Sequence, residues 1–152
     1  MINQAIHTID LLQYFFEMPD EITAHIDNVS LKNIIEVEDT AVLYSKSGYF
    51  SLVASNAALT DFPRKITLKT AEDEIVIINN DVCINGKNYS CEALTNIPGA
   101  KKIYGGGHMS LIKDFYYCIE NNVKFDIDFY EASKSLKIVL TAYMSQGRNM
   151  KI

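Results

Sequence analysis

The sequence has no tryptophan and only 3 prolines, 7 glycines and 3 cysteines among its 152 residues. The scarcity of glycine and proline excludes collagen-like and low-complexity chains. The cysteines (Cys83, Cys91 and Cys118) are odd in number and widely spaced, which argues against a disulfide framework and predicts a reducing, cytoplasmic location. No apolar run approaches the roughly 20 residues that a bilayer span needs, so no membrane partner is expected.

Positive charge is also in the minority. The chain carries 14 Lys and Arg against 19 Asp and Glu, which gives a formal charge of −5 and argues against nucleic acid as a partner. His7, His25 and His108 are far apart in sequence, and neither Cys-x-x-Cys nor His-x-x-x-His occurs. We therefore expect no metal site.

Three blocks of periodicity predict the fold. Apolar residues recur every three or four positions over 2–17, which predicts a helix ending at Met18-Pro19. Alternating strand patterns follow from about 21 to 92. Turns are predicted at Lys46-Ser47-Gly48, at Thr70–Asp73 and, most clearly, at Asn85-Gly86.

The last block predicts a helix over 108–121 and a second one capped by Asp128 and ended near Gly147, with a short strand at 148–152. Short connections between the strands favour antiparallel pairing. The prediction is one α+β domain over 1–152: a largely antiparallel meander sheet with helices packed on one face.

Such a sheet has one uncovered face, and several strand residues are too apolar to remain in water. These residues are Val42, Tyr44, Phe50, Leu52, Ile75 and Ile77. We therefore expect the open sheet face to be covered by a second domain or by another subunit.

The first helix carries one narrow polar stripe. Asn3, His7, Asp10 and Tyr14 fall within roughly 60° of one another at 100° per residue. Histidine is suited to proton transfer near neutral pH, and Asp10 could hold its ring. The alternative is that His7 and Asp10 form a structural pair with no chemical role.

Two further clusters are weaker candidates. Gly105-Gly106-Gly107 precedes a helix, as phosphate-binding loops do, but Ser110 stands where the dinucleotide fingerprint needs its last glycine. A linker leading to His108, which caps the helix or contacts substrate, is the simpler interpretation. Glu36, Glu38 and Asp39 form an acidic cluster that we expect at a solvated strand edge.

Four segments occur in an order that resembles a known family. They are Ile2-Asn3-Gln4-Ala5-Ile6-His7-Thr8-Ile9-Asp10-Leu11-Leu12, Val37-Glu38-Asp39-Thr40-Ala41, Gly107-His108-x-x-Leu111-Ile112-x-Asp114-Phe115 and Ser145-x-Gly147. Together they resemble the second half of the Gfo/Idh/MocA oxidoreductases, the family of glucose–fructose oxidoreductase and inositol 2-dehydrogenase.

The resemblance implies a C-terminal substrate-binding and oligomerisation domain whose N-terminal Rossmann domain, the site of NAD(P), is absent from this chain. His7 corresponds to the family histidine that moves the substrate hydroxyl proton, and Asp10 to the acidic residue that follows it. Many members have Asp and Gly where this chain has Asn3 and Ala5. An amide cannot accept the proton, which limits Asn3 to hydrogen bonding.

The hypothesis is therefore the C-terminal portion of an NAD(P)-dependent oxidoreductase acting on a secondary alcohol of a sugar, nucleotide sugar or polyol. His7 is the predicted catalytic residue, and Asn3, Asp10 and His108 are predicted substrate contacts. The partners expected are the missing Rossmann domain, a small sugar or polyol, and further copies of the chain. This chain alone would bind no cofactor and be inactive. The alternative is a stand-alone dimerising or small-ligand-binding module without catalysis.

Overall fold

The structure is a computed structural model that describes residues 5–48, 50–58, 60, 62–79, 81–89 and 107–152. It divides into two compact units. The first contains Met1–Leu59 and Asp126–Ile152, and the second contains Thr60–Phe125. Each unit is described by itself below.

The first unit contains a four-stranded antiparallel sheet and two helices. The strands are β1 (Glu21–Asp27), β2 (Thr40–Ser45), β3 (Ser51–Ser55) and β8 (Met150–Lys151), in the order β3-β2-β1-β8. The helices are α1 (Ile6–Phe16) and α3 (Phe129–Ser145). Helix α3 packs on β1, and α1 packs on α3, so both helices lie on the same side of the sheet.

Strand alternation determines which side chains form the core. Ala24 pairs with Leu43, and Leu43 pairs with Leu52, so these three side chains share the face beneath the helices. Ala24 and Leu43 join Ile9 of α1 and Ile138 of α3 in one buried cluster, and the partly buried Leu52 packs against it. The opposite face carries Val42, Tyr44 and Val53, and Tyr44 and Val53 are exposed there.

The ends of α3 follow the sequence prediction. Asp128 is the N-cap, and its Oδ1 accepts a hydrogen bond of 2.9 Å from the backbone N–H of Glu131. Gln146 and Gly147 both adopt positive φ, at 47° and 81°, and end the helix.

Asp39 does not lie at a solvated edge, which corrects the expectation for the acidic cluster. It is buried, and its carboxylate accepts hydrogen bonds from the backbone N–H groups of Val29, Ser30 and Leu31 at 2.9, 2.7 and 2.7 Å. Burial by itself raises the pKa of Asp39, but these hydrogen bonds outweigh it and lower the pKa to about 2. Asp39 therefore organises the loop between β1 and β2.

The second unit contains the other sheet and helix α2 (Gly107–Asn121). Its strands are β4 (Lys65–Lys69), β5 (Glu74–Ile78), β6 (Asp81–Ile84) and β7 (Lys87–Tyr89), in the order β4-β5-β6-β7. Asn85 and Gly86 have φ of 50° and 80°, as the predicted hairpin turn between β6 and β7 requires.

The α+β class and antiparallel pairing are confirmed, but the described strands form two sheets instead of one. The segment between β3 and β4 contains Pro63, which has no backbone N–H for a sheet ladder. The proposed open face also needs correction. Phe50 is buried and Leu52 lies on the helix side with it, whereas Ile75 and Ile77 belong to the second sheet.

Candidate active site

Helix α1 presents its polar stripe to solvent. Ile9 and Leu12 face the core, while His7, Asp10 and Tyr14 are exposed, because residues three and four apart share one face of a helix. His7 is in the first turn of α1, and its ring is not enclosed by apolar neighbours. The imidazole is therefore accessible to a ligand or to a second polypeptide segment.

Asp10 does not orient His7 in this structure. Its Oδ1 accepts a 3.5 Å hydrogen bond from Nε2 of Gln13, and no hydrogen bond joins His7 to Asp10 among the described residues. The structural-pair alternative for His7 and Asp10 therefore has no support in the contacts. A role for Asp10 in contacting substrate stays a prediction.

Asn3 and His108 are the other two predicted site residues. Asn3 lies outside the described residues. His108 is exposed and lies in the first turn of α2, which belongs to the second unit. The residues 105 and 106 of the glycine run also lie outside the described residues, so the linker prediction stays open there.

Ser145 and Gly147, which contributed to the family resemblance, have a structural role. The Oγ of buried Ser145 accepts a 2.9 Å hydrogen bond from the backbone N–H of Ala24, and the N–H of Gly147 donates to the Ala24 carbonyl at 2.8 Å. Strand β8 pairs with β1 only at Glu21 and Ile22. The end of α3 therefore supplies hydrogen-bond partners for the backbone N–H and carbonyl of Ala24, which lie beyond the two residues of β1 that pair with β8.

Glu38, in the loop before β2, contacts α3. Its Oε1 accepts a short hydrogen bond from the Tyr143 hydroxyl. Partial burial raises the pKa of Glu38, but the hydrogen bonds that it accepts, including the one from Tyr143, lower the pKa below its ordinary value overall. The contact ties the loop before β2 to α3.

A cavity of about 550 Å³ lies in the first unit, formed by the segment after α1, the first turns of α3 and the end of the chain. Its charged lining residues are Asp20, Glu21, Lys134, Lys137 and Lys151. Sequence reasoning missed this cluster, because no motif joins lysines that are separated by up to 17 residues and brought together only by packing.

Within the described ranges, no helix is both long and apolar enough to cross a membrane. In the same ranges, no group of three or more His, Cys, Asp or Glu side chains is arranged to hold a metal ion.

The fold resembles solved oxidoreductase structures. An oxidoreductase from Agrobacterium radiobacter, in complex with NAD⁺, L-tartaric acid and magnesium, matches 98% of this chain with a TM-score of 0.77 and 17% identity. The WlbA dehydrogenase from Bordetella pertussis, in complex with NADH and UDP-GlcNAcA, matches 99% with a TM-score of 0.73 and 21% identity. The chain has the fold of the Gfo/Idh/MocA C-terminal domain.

A myo-inositol dehydrogenase from Corynebacterium glutamicum matches 99% of the chain, with a TM-score of 0.72 and 16% identity. The chain spans only 46–48% of the length of these three proteins. No family profile and no curated protein sequence matches the chain. The similarity is therefore one of fold, and it confirms the resemblance to this C-terminal domain.

Proposed function

We propose that this chain is the substrate-binding and oligomerisation portion of an NAD(P)-dependent oxidoreductase that acts on a secondary alcohol of a sugar, nucleotide sugar or polyol. The observation that carries the proposal is the fold match, which covers nearly all of this chain and about half of proteins solved with NAD⁺ or NADH. The fold matches to a dehydrogenase in complex with UDP-GlcNAcA and to a myo-inositol dehydrogenase support the substrate class.

The proposed cofactor site lies outside this chain. Dinucleotides bind at the crevice of a parallel sheet, next to a glycine-rich turn at a helix N-terminus. Both described sheets are antiparallel, and the sequence lacks Gly-x-Gly-x-x-Gly. NAD(P), which takes or gives the hydride, would be held by a separate N-terminal domain, and the residues of this chain would bind and orient the substrate.

The outer faces of α1 and α3 support a docking site for that domain. Leu136, Leu140 and Met144 follow one another at four-residue steps on α3 and are 41–57% exposed, and Tyr14 and Phe15 are exposed on α1. Contiguous exposed apolar residues of this kind are unusual on the surface of a monomeric protein and are typical of an interface. A domain that covers Tyr14 would also cover the face of α1 that carries His7, because both residues lie on the same stripe.

His7 is the proposed acid/base group. In alcohol oxidation its imidazole would accept the proton from the substrate hydroxyl oxygen, and in the reverse direction it would return that proton to the carbonyl oxygen. Asn3, Asp10 and His108 are proposed to hydrogen-bond the remaining hydroxyl groups. Asn3 differs from the aspartate of many family members and supplies hydrogen bonds only.

The outer face of the first sheet is the proposed contact between copies of the chain. Tyr44 and Val53 are 41% and 71% exposed and lie on the face opposite the helices, next to Val42. Covering this face with a second copy would remove apolar surface from water. The protein with Val53→Lys would then have a lower molar mass by light scattering than the unmodified protein.

The test measures hydride transfer by the protein that also carries the N-terminal domain. The rate is monitored through NAD(P)H absorbance, with polyols and nucleotide sugars as substrates. His7→Gln should lower the rate by about 10²–10⁴-fold, the usual contribution of general acid–base catalysis. His25→Gln is the matched histidine control, because His25 is exposed on β1 and not on α1; it pairs with Val42 on the outer sheet face, so its association state is measured as well. Light scattering on both variants separates an effect on association from one on chemistry.

Two outcomes would contradict the proposal. A His7→Gln rate within about threefold of the unmodified rate would remove the acid/base role. Turnover by this chain alone with NAD(P) would overturn the assignment of the cofactor to another domain. Absence of a dinucleotide-binding domain in the parent protein would favour the alternative of a non-catalytic binding module.

A further inference from the structure

The cavity of the first unit has a charge that differs from that of the whole chain. The chain has a formal charge of −5, yet three lysines and two carboxylates line this cavity. Lys134 and Lys137 come from α3 and Lys151 from β8. The local excess of positive charge therefore arises from packing of elements that are distant in sequence.

Ion pairs identify which of these charges are available to a ligand. Lys134 Nζ is 2.6 Å from Glu131 Oε2, and Lys46 Nζ is 2.7 Å from Glu21 Oε2. The hydrogen bond from Lys46, and a weaker attraction to Lys151, lower the pKa of Glu21 and keep it ionised. Among the described residues, Lys137 and Lys151 form no ion pair, and neither does Asp20.

The size and the remaining lining fit a small polar molecule. About 550 Å³ lies within the usual range for ligand pockets, roughly 300–1,000 Å³. Met18, Pro19 and Ile152 supply apolar surface, and the Tyr130 ring lies against Lys134, whose Nζ is 5.6 Å from the ring centroid. A ligand would thus find two ammonium groups, one carboxylate and an apolar wall.

We propose that this cavity binds a phosphorylated sugar or polyol. The phosphate would accept hydrogen bonds from the ammonium groups of Lys137 and Lys151, and the Asp20 carboxylate would accept one from a ligand hydroxyl. A plain inorganic anion would gain the first two contacts but would meet Asp20 as a repelling charge. The combination therefore favours phosphate attached to a polyhydroxy group.

This site is separate from the proposed catalytic face. His7 lies in the first turn of α1, whereas the cavity begins at Met18, after the last turn. His7 and Phe16 are about 13.5 Å apart along the helix axis, because nine residues at 1.5 Å each separate them. The cavity would therefore bind a second molecule of a different charge type, independently of His7 and of NAD(P).

The test is an NMR titration of the ¹⁵N-labelled chain with glucose 6-phosphate, glucose and inorganic phosphate in separate arms. Glucose 6-phosphate should give saturable shifts at Asp20, Lys137 and Lys151 with a dissociation constant near or below about 1 mM. Inorganic phosphate should bind more weakly, and glucose should give no saturable shift. His7→Gln should leave the affinity unchanged, so failure of the catalytic proposal would not affect this one.

Charge-removing variants make the proposal falsifiable. Lys137→Gln combined with Lys151→Gln should weaken glucose 6-phosphate binding by about fivefold or more. Lys32→Gln, at an exposed lysine in the same unit, should leave it unchanged. Equal affinity of the double variant and the unmodified chain would overturn the site. Equal affinity for glucose 6-phosphate and inorganic phosphate, or no saturation by about 10 mM, would also overturn the proposal.

Discussion

Ser145→Ala removes a side-chain oxygen that links α3 to β1, an inner strand of the first sheet. Ser145 is fully buried, accepts a hydrogen bond from the Ala24 N–H and donates one to the carbonyl of Arg148. The methyl group of alanine can do neither. Both backbone groups would lose their partner, and Ala24 is itself 0% exposed.

The magnitude follows from the desolvation cost of the groups left behind. A buried donor or acceptor without a partner costs about 1–3 kcal/mol. The Ala24 N–H lies in the interior of the unit, whereas Arg148 is exposed and its carbonyl has easier access to water. We therefore expect a loss of about 2–3 kcal/mol in the free energy of unfolding, most of it from Ala24.

Urea unfolding followed by far-UV circular dichroism, with hydrogen exchange of the β1 amides, measures this effect. The amide of Ala24 should lose protection, and the transition of the first unit should move to lower urea. Ser133→Ala is the matched control, since Ser133 is on the same helix, is less buried and bonds only the Tyr130 carbonyl. A change below about 0.5 kcal/mol, with unchanged exchange at Ala24, would refute this account of the β1 edge.

Three further predictions concern the same unit. Gly147→Ala should destabilise it by about 1–2 kcal/mol, because φ is +81° and the new Cβ would lie 2.9 Å from His25 Cε1. The loss measured by thermal unfolding should be smaller in a His25→Ala background. Asp39→Asn should destabilise the unit at pH 7, but the difference from the unmodified protein should shrink as pH falls from about 4 towards 2. The folded-state pKa of about 2 lies below the usual 3.8, so the stabilisation exists above that window and is lost within it; an equal difference at pH 7 and pH 2 would contradict this. Glu17→Gly should stabilise by about 1 kcal/mol in urea unfolding, since φ of 63° and ψ of −179° is a region that only glycine adopts freely; a loss of stability would show that Glu17 is not strained.

Local signals in the sequence were sufficient for most individual elements. The hairpin at Asn85-Gly86, the N-cap at Asp128 and the helix end at Gly147 depend on the conformational preferences of a few adjacent residues. These preferences act within one turn of chain. The apolar spacing of α1 likewise determined which side of that helix faces the core and which side carries His7.

Interactions between distant segments were not predictable in this way. The acidic run at 36–39 contains both exposed Glu36 and buried Asp39, and only the folded loop at 29–31 distinguishes them. In the same way, alternation indicated that strands have two faces, but only the register of β2 with β3 assigned Leu52 to the helix side and Val53 to the outside.

By itself, the sequence determined the α+β class, the antiparallel pairing, the ends of α3 and the polar stripe of α1, because each depends on periodicity or on local backbone preference. Only the tertiary structure decided that the strands form two sheets, that Ser145 and Gly147 hydrogen-bond the backbone of Ala24, and that Lys137 and Lys151 share a cavity. These features depend on which distant segments come into contact. That choice is made by burial and hydrogen-bond satisfaction over the whole unit.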